Sequence, residues 1–111
     1  MPFTPRLILV TASSLDEARR LAQGLLEQHL AACINLVPGI ESHYWWEGKL
    51  ESGTEVLLLI KSSAEQFEAL SNFIRTHHSY ACPEIVTLEP GAIAPSYFEW
   101  WKNEVASTGI A

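Results

Sequence analysis

The chain has 111 residues, 48% hydrophobic and 18% charged, and its seven Lys/Arg against thirteen Asp/Glu leave a formal net charge of −6. That length fits a single domain, residues 1–111, able to bury roughly 65% of its unfolded surface. The four Trp, four Phe and three Tyr exclude a disordered chain, and the lack of any basic run longer than Arg19-Arg20 excludes a surface that tracks nucleic-acid phosphates.

The first residues, Met1-Pro2-Phe3-Thr4-Pro5-Arg6, lack a basic segment followed by an apolar one, and apolar runs such as Val56–Ile60 are far too short to span a bilayer. The expectation is a soluble cytoplasmic protein without membrane contact. Two cysteines are too few for a disulfide scaffold. Arg6–Ala12 is short and rich in Leu, Ile and Val, which predicts a buried strand. Ser14 stands three residues before Glu17, a capping-box spacing, and Leu15, Ala18, Leu21, Ala22, Leu25 and Leu26 follow at helical intervals, predicting a helix over 15–29.

Cys33 opens a second strand that passes Pro38-Gly39 and resumes through Ile40–Trp46. Glu47-Gly48-Lys49 turns the chain, and a third strand runs back from Leu50 into the buried run Glu55–Lys61. Fourteen extended residues from Cys33 to Trp46 would reach about 46 Å. A domain of this length is only about 35 Å across, so the hairpin should overhang the body, with a bulge at Pro38-Gly39. Ser62 or Ser63 caps a second helix whose apolar face is Phe67, Leu70, Phe73 and Ile74. Pro95, with Ser96 and Glu99 at the same cap spacing, opens a third helix carrying Trp100, Trp101 and Val105.

Shifted by 49 residues, Leu7–Gly39 overlays Val56–Leu88 with identities that include Ser13-Ser14 on Ser62-Ser63, Leu21 on Leu70, His29 on His78 and Ala32-Cys33 on Ala81-Cys82. Two β-α-β units joined by a hairpin give an α+β fold, the ferredoxin-like split β-α-β-β-α-β, with both helices on one face of a four-stranded sheet and strands two and four at its edges. Adjacent strand residues point to opposite faces, so Trp45 and Trp46 cannot share one core. Either the third helix covers the outlying ring or a partner subunit does; together with Trp100-Trp101, the pattern favours a homo-oligomer.

The run Leu30-Ala31-Ala32-Cys33-Ile34-Asn35-Leu36-Val37-Pro38-Gly39, then Tyr44-Trp45-Trp46-Glu47-Gly48-Lys49, Glu55-Val56 through Ile60-Lys61, His77-His78-Ser79-Tyr80, Pro83-Glu84 and Pro95-Ser96-Tyr97 with Trp100, resembles the CutA divalent-cation-tolerance family. The resemblance covers nearly the whole chain in order. It implies a tight homotrimer similar in plan to the PII signalling proteins and a role linked to copper and other divalent cations. Two positions depart from the family pattern. Val10, followed by Thr11, stands where members proposed to bind copper carry a strand-one Cys, and Ser79 stands where a Pro usually follows the paired histidines.

His77, His78 and Cys82 are the candidate metal ligands, because imidazole and thiolate suit copper or zinc, and Glu84 can add an oxygen. Two helical neighbours diverge by about 100°, so one chain does not close a four-ligand site and a site shared between subunits is the alternative. A structural reading competes: His29 and His78 both fall near helix C-termini, and Cys33 and Cys82 both enter strands as small buried thiols. Cys33 of one subunit is then brought towards Cys82 of the next if strand two pairs with strand four across a trimer. Lys61, Tyr80, Glu84 and Trp46 are the candidates for lining an intersubunit cleft in a PII-like sensor; the third reading is a scaffold without a ligand. There is no P-loop, dinucleotide loop, HExxH helix or Gly-x-Ser-x-Gly elbow, and no convincing acid/base pair. The chain is expected not to be an enzyme and to use no organic cofactor, only a weakly bound copper or other divalent cation.

Overall fold

The computed structural model describes residues 2–106. The ends of the expected domain, residue 1 and residues 107–111, lie outside the described residues. Strict alternation builds the sheet. In β1 (Pro5–Ala12) the side chains of Ile8, Val10 and Ala12 are fully buried, and in β3 (Lys49–Ser63) Val56, Leu58 and Ile60 face the same way. Antiparallel register sets Ile8 opposite Ile60 and Val10 opposite Leu58. Ile34 and Leu36 of β2 (Cys33–Trp46) complete that surface. Onto it pack α1 (Leu15–Glu27), through Ala18, Leu21 and Leu25, and α2 (Phe67–His77), through Leu70 and Ile74. With β4 (Ile85–Leu88) the strand order is β2-β3-β1-β4, the ferredoxin-like arrangement, and β2 and β4 are the edges.

The other face of the sheet is apolar too. Leu9 lies between Leu59 and Val86, Leu7 pairs with Leu88, and Leu57 pairs with Val37. Val37, Val86 and Leu88 stay exposed. The hairpin overhangs as its length requires, and the molecule measures 45 × 28 × 24 Å. Its turn is the two residues Glu47 and Gly48, both at positive φ (50° and 80°), with Lys49 already paired to Trp46. Positive φ at both turn positions matches the right-handed twist of the strands, and glycine takes the second position without strain.

The helix starts differ from one another. Ser14 Oγ accepts the Glu17 N–H at 3.2 Å, and Ser63 Oγ accepts the Gln66 N–H at 3.2 Å to start a short 3-10 turn, Ala64–Gln66, ahead of α2. The third helix, α3 (Pro95–Glu104), departs from the expected Ser96–Glu99 cap: Ala94 is the N-cap and no side chain caps the helix. Pro95 at the first position has no N–H to satisfy and is already set to a helical φ, so Ser96 falls inside the helix. Trp101 of α3 is buried and donates its indole N–H to the Ser62 carbonyl at 3.0 Å, so α3 docks against the end of β3 remote from the hairpin tip. The third helix therefore does not cover the hairpin tryptophans; Trp45 is 70% exposed.

The 49-residue repeat breaks at its end. α1 stops at Glu27, short of the expected 29, because His29 turns left-handed at φ 55°, with its N–H on Leu26 O and the Leu30 N–H on Leu25 O. These two bonds are the Schellman closure of a helix. His78, its counterpart, leaves α2 in extended conformation instead. Cys33 is the first residue of β2, whereas Cys82 is exposed in the loop before β4, so Cys82 neither enters a strand nor is buried. Pairing β2 with β4 between subunits would thus not in itself align the two thiols.

α1 and α2 approach closely at Gly24, where an added Cβ would lie 2.3 Å from Phe73 Cζ. The Phe73 ring is stacked on His77 at 4.1 Å between centroids, which limits its retreat. Gly24→Ala is expected to destabilise the fold by about 1–3 kcal/mol through overpacking, despite the helical preference of alanine. Urea unfolding checks this, and an unchanged midpoint would show that the ring swings aside freely.

Candidate functional site

Glu17 is the least expected residue in the region, because its carboxylate is buried, with only 4% of the residue exposed. A capping box would send it back to the Ser14 N–H. Instead Oε1 accepts from the Ser13 N–H at 3.0 Å and the Ser13 hydroxyl at 2.9 Å, and Oε2 accepts from the Ser79 N–H at 2.7 Å. Burial pushes the carboxyl upward, but these hydrogen bonds, from Ser13 and from Ser79, outweigh it and hold the group down at about 2. Glu17 thus ties the start of α1 to the loop that leaves α2.

His78 makes the second tie. Its ring is fully buried. Nε2 lies 2.7 Å from the Thr11 carbonyl, to which it donates, and Nδ1 accepts the Tyr80 N–H at 3.0 Å. These partners assign the proton to Nε2 and engage the Nδ1 lone pair, so neither nitrogen is open to an ion. His77 is exposed, with Nδ1 2.8 Å from the Phe73 carbonyl. Among the described residues no three His, Cys, Asp or Glu side chains are placed to hold one ion. Within one chain, His77, His78 and Cys82 therefore do not come together as a ligand set; His78 serves the helix-to-loop junction.

The two ties deliver the loop 78–84 to the rim of a cavity of about 680 Å³, lined by Tyr80, Cys82 and Glu84 from the loop and by Ser42, Tyr44 and Trp46 from the hairpin. Thr11, Glu41, His43 and Glu55 complete the polar lining. Tyr80 donates its hydroxyl to Glu55 Oε2 at 2.7 Å. Burial first, and then that carboxylate, push the phenol well above its ordinary range, so it remains a donor. His43 Nε2 sits 2.6 Å from Glu41 Oε2. Val10, where the family resemblance expects a thiol, is sealed in the core, and β1 reaches the cavity through Thr11.

A bulge places the hairpin side chains. Val37 pairs with Leu57 and Ile40 with Glu55, so Pro38 and Gly39 oppose the single residue Val56. Gly39 takes φ 75° there. One extra residue exchanges the two faces of a strand. Before the bulge the open face carries Cys33, Asn35 and Val37; after it, Ile40, Ser42, Tyr44 and Trp46 stand beside Glu55. Three of the four expected cleft residues, Trp46, Tyr80 and Glu84, line this one cavity. Lys61 does not; its ammonium bonds Asn35 Oδ1 and lies 3.8 Å from Cys33 Sγ at the start of β2. Sequence reasoning missed Thr11, Glu41, Ser42, His43, Tyr44 and Glu55. The period-two spacing of Tyr44 and Trp46 was a usable signal for Tyr44; the Glu55–Tyr80 bond joins residues too far apart to be read from the chain.

Comparison with known proteins agrees with this architecture. The family described as CutA1 divalent ion tolerance protein matches residues 6–104. The chain belongs to the CutA family. It is 40% identical over 98 residues to the divalent-cation tolerance protein CutA of Archaeoglobus fulgidus, covering 88% of this chain and 95% of that one. It is also 40% identical over 97 residues to the chloroplastic CutA 1 of rice, covering 87% of this chain but only 55% of the relative. The chain thus spans about half the length of the plant chloroplast relatives it matches. Among solved structures, CutA1 of Thermus thermophilus superposes with a TM-score of 0.90 at 35% identity, covering 93% of this chain and all of that one. Rice CutA1 gives the same TM-score at 37% identity, covering 96% and 98%.

The Glu17 ties have a pH signature. A carboxyl held near 2 when folded, against an ordinary 4.5, contributes stability that is complete above pH 4.5 and is lost as pH falls from there towards 2. The loss expected is about 3 kcal/mol. Glu17→Gln, which offers an N–H where the carboxylate accepted one, is expected to remove most of that acid sensitivity and to lower stability at pH 7. Urea midpoints measured across pH 2–7 on both proteins check this; parallel curves would show that Glu17 does not carry the effect.

Proposed function

We propose that this CutA protein works as a homotrimer that binds a divalent cation weakly, and that the cation meets it at the cavity beneath the hairpin. The observation that carries the reading is the donor pair on one loop at that wall: the exposed Cys82 thiol and the Glu84 carboxylate. The thiol absent from β1 is supplied from the loop instead. Thiolate sulfur and carboxylate oxygen are both ligands of such cations. Because no three donors converge within one chain among the described residues, binding by one subunit is weak, and a second subunit is needed to complete the coordination. The trimer is supported by the apolar open face around Leu9, Leu59, Val86 and Leu88, by the β2 edge, and by Trp45.

Zinc is the cleaner probe, because it does not oxidise the thiol. Calorimetric titration with Zn(II) is expected to show a fixed ratio per subunit in the native protein and in His77→Ala, and to lose it in Cys82→Ser/Glu84→Gln. Loss in His77→Ala with retention in the double variant would return the site to the helix end. For the assembly, light scattering at micromolar concentration is expected to give about three times the chain mass of 12.4 kDa, and Val86→Glu to reduce it. A monomer would refute the trimer.

The volume favours a second reading as well. About 680 Å³ is far more than an ion fills and falls within the range of small-molecule pockets, as expected for a PII-like sensor with a ligand in its cleft.

A further inference from the structure

The cavity combines two features that together select a ligand class. Two carboxylates face it, Glu55 and Glu84, and among the described residues no Lys or Arg lines it. Glu41 and His43, paired at 2.6 Å, reach its edge from the opposite face of β2. Beside these stand Tyr44 and Trp46, each about half exposed, and Tyr80, whose hydroxyl is committed to Glu55. We infer that the cavity receives an organic cation, an amine, amidine or guanidine carried on an apolar body. The inference rests on the second reading above, that the cavity is a small-molecule site, and it names the ligand's chemistry.

A nitrogen cation donates several N–H groups, and carboxylates accept them in short charge-assisted bonds. Glu84 and the second oxygen of Glu55 offer such acceptors, while Tyr80 holds the first oxygen of Glu55 and fixes its carboxylate. Aromatic faces attract the same charge through their quadrupoles and bury the hydrocarbon body at once; Tyr44 and Trp46 lie two residues apart on one strand face to do so. Lastly, an anion would meet these carboxylates without a counter-charge from Lys or Arg, so a phosphate-bearing ligand is repelled. The spacing that leaves one chain short of a complete metal site suits this class. A bare ion needs several donors converging at about 2 Å, and such convergence is absent among the described residues. A multi-donor organic cation reaches separated acceptors across about 680 Å³.

The test is a charge series at constant shape on the purified, assembled protein. Benzamidine, benzamide and benzoate differ in charge and little in size; agmatine and spermidine extend the cations. Binding is followed by calorimetry and by Trp fluorescence. Expected are binding of at least one of the three cations, benzamidine at least about tenfold tighter than benzamide, and no binding of benzoate. Trp46→Ala and Glu84→Gln, both at exposed positions and checked for folding by circular dichroism, are each expected to weaken the cation by about tenfold or more. Equal binding of benzamidine and benzamide, preference for benzoate, no binding of any of the three cations, or cation binding unchanged in both variants would overturn the proposal. The Zn(II) titration separates the two readings of the cavity. Organic cations bound without Zn(II) refute only the metal site, and Zn(II) bound without organic cations refutes only this one.

Discussion

The buried carboxylate of Glu17 is the constraint on which the functional end of the molecule depends. A charged group with so little access to water persists only where donors surround it. Ser13 and Ser79 provide them, from opposite ends of the first 80 residues. With the Thr11–His78 bond, they fix where the chain goes after α2. Tyr80, Cys82 and Glu84 follow directly, so three wall residues inherit their positions from a helix-start carboxylate. The Ser79 N–H is among the donors, and a proline at that position would have none to give. The departure from the family pattern at Ser79 is thus used here as a hydrogen bond.

The opposite wall depends on one inserted residue. Without the bulge at Pro38-Gly39, the alternation of β2 would turn Tyr44 and Trp46 away from Glu55. With it, the hairpin presents aromatic faces to a loop that presents a carboxylate, a phenol and a thiol. The cavity is the meeting of two local devices that have no contact in sequence, a buried ion and a strand bulge.

The same chain leaves much apolar surface uncovered. The helices occupy one face of the sheet, and the other is an apolar stripe across all four strands. The hairpin carries Trp45 and Leu50 into solvent at 70% and 69% exposure. Surface of this extent in a small domain calls for a partner.

Much of this was legible beforehand. The 49-residue repeat, the capping serines and the alternation of β1 and β3 specify a β-α-β-β-α-β chain, and the overhang of the hairpin follows from counting residues. Local physics sets all of these, since helix period, strand period and cap chemistry act over a few residues. The third helix start departs from the Ser96–Glu99 cap spacing because Pro95 sets it without a side-chain cap. The paired histidines were only half legible: their chemistry suits a metal, but the partners that occupy both nitrogens of His78 lie on β1 and in the following loop. His29 and His78 are the same residue at the same place in the repeat, yet one turns left-handed to close α1 and the other is sealed against Thr11. The sequence by itself determined the elements, their order and the family. Only the tertiary structure decided which side chains share a site, because burial and hydrogen-bond partnership are set by residues distant in the chain and brought together when the sheet closes.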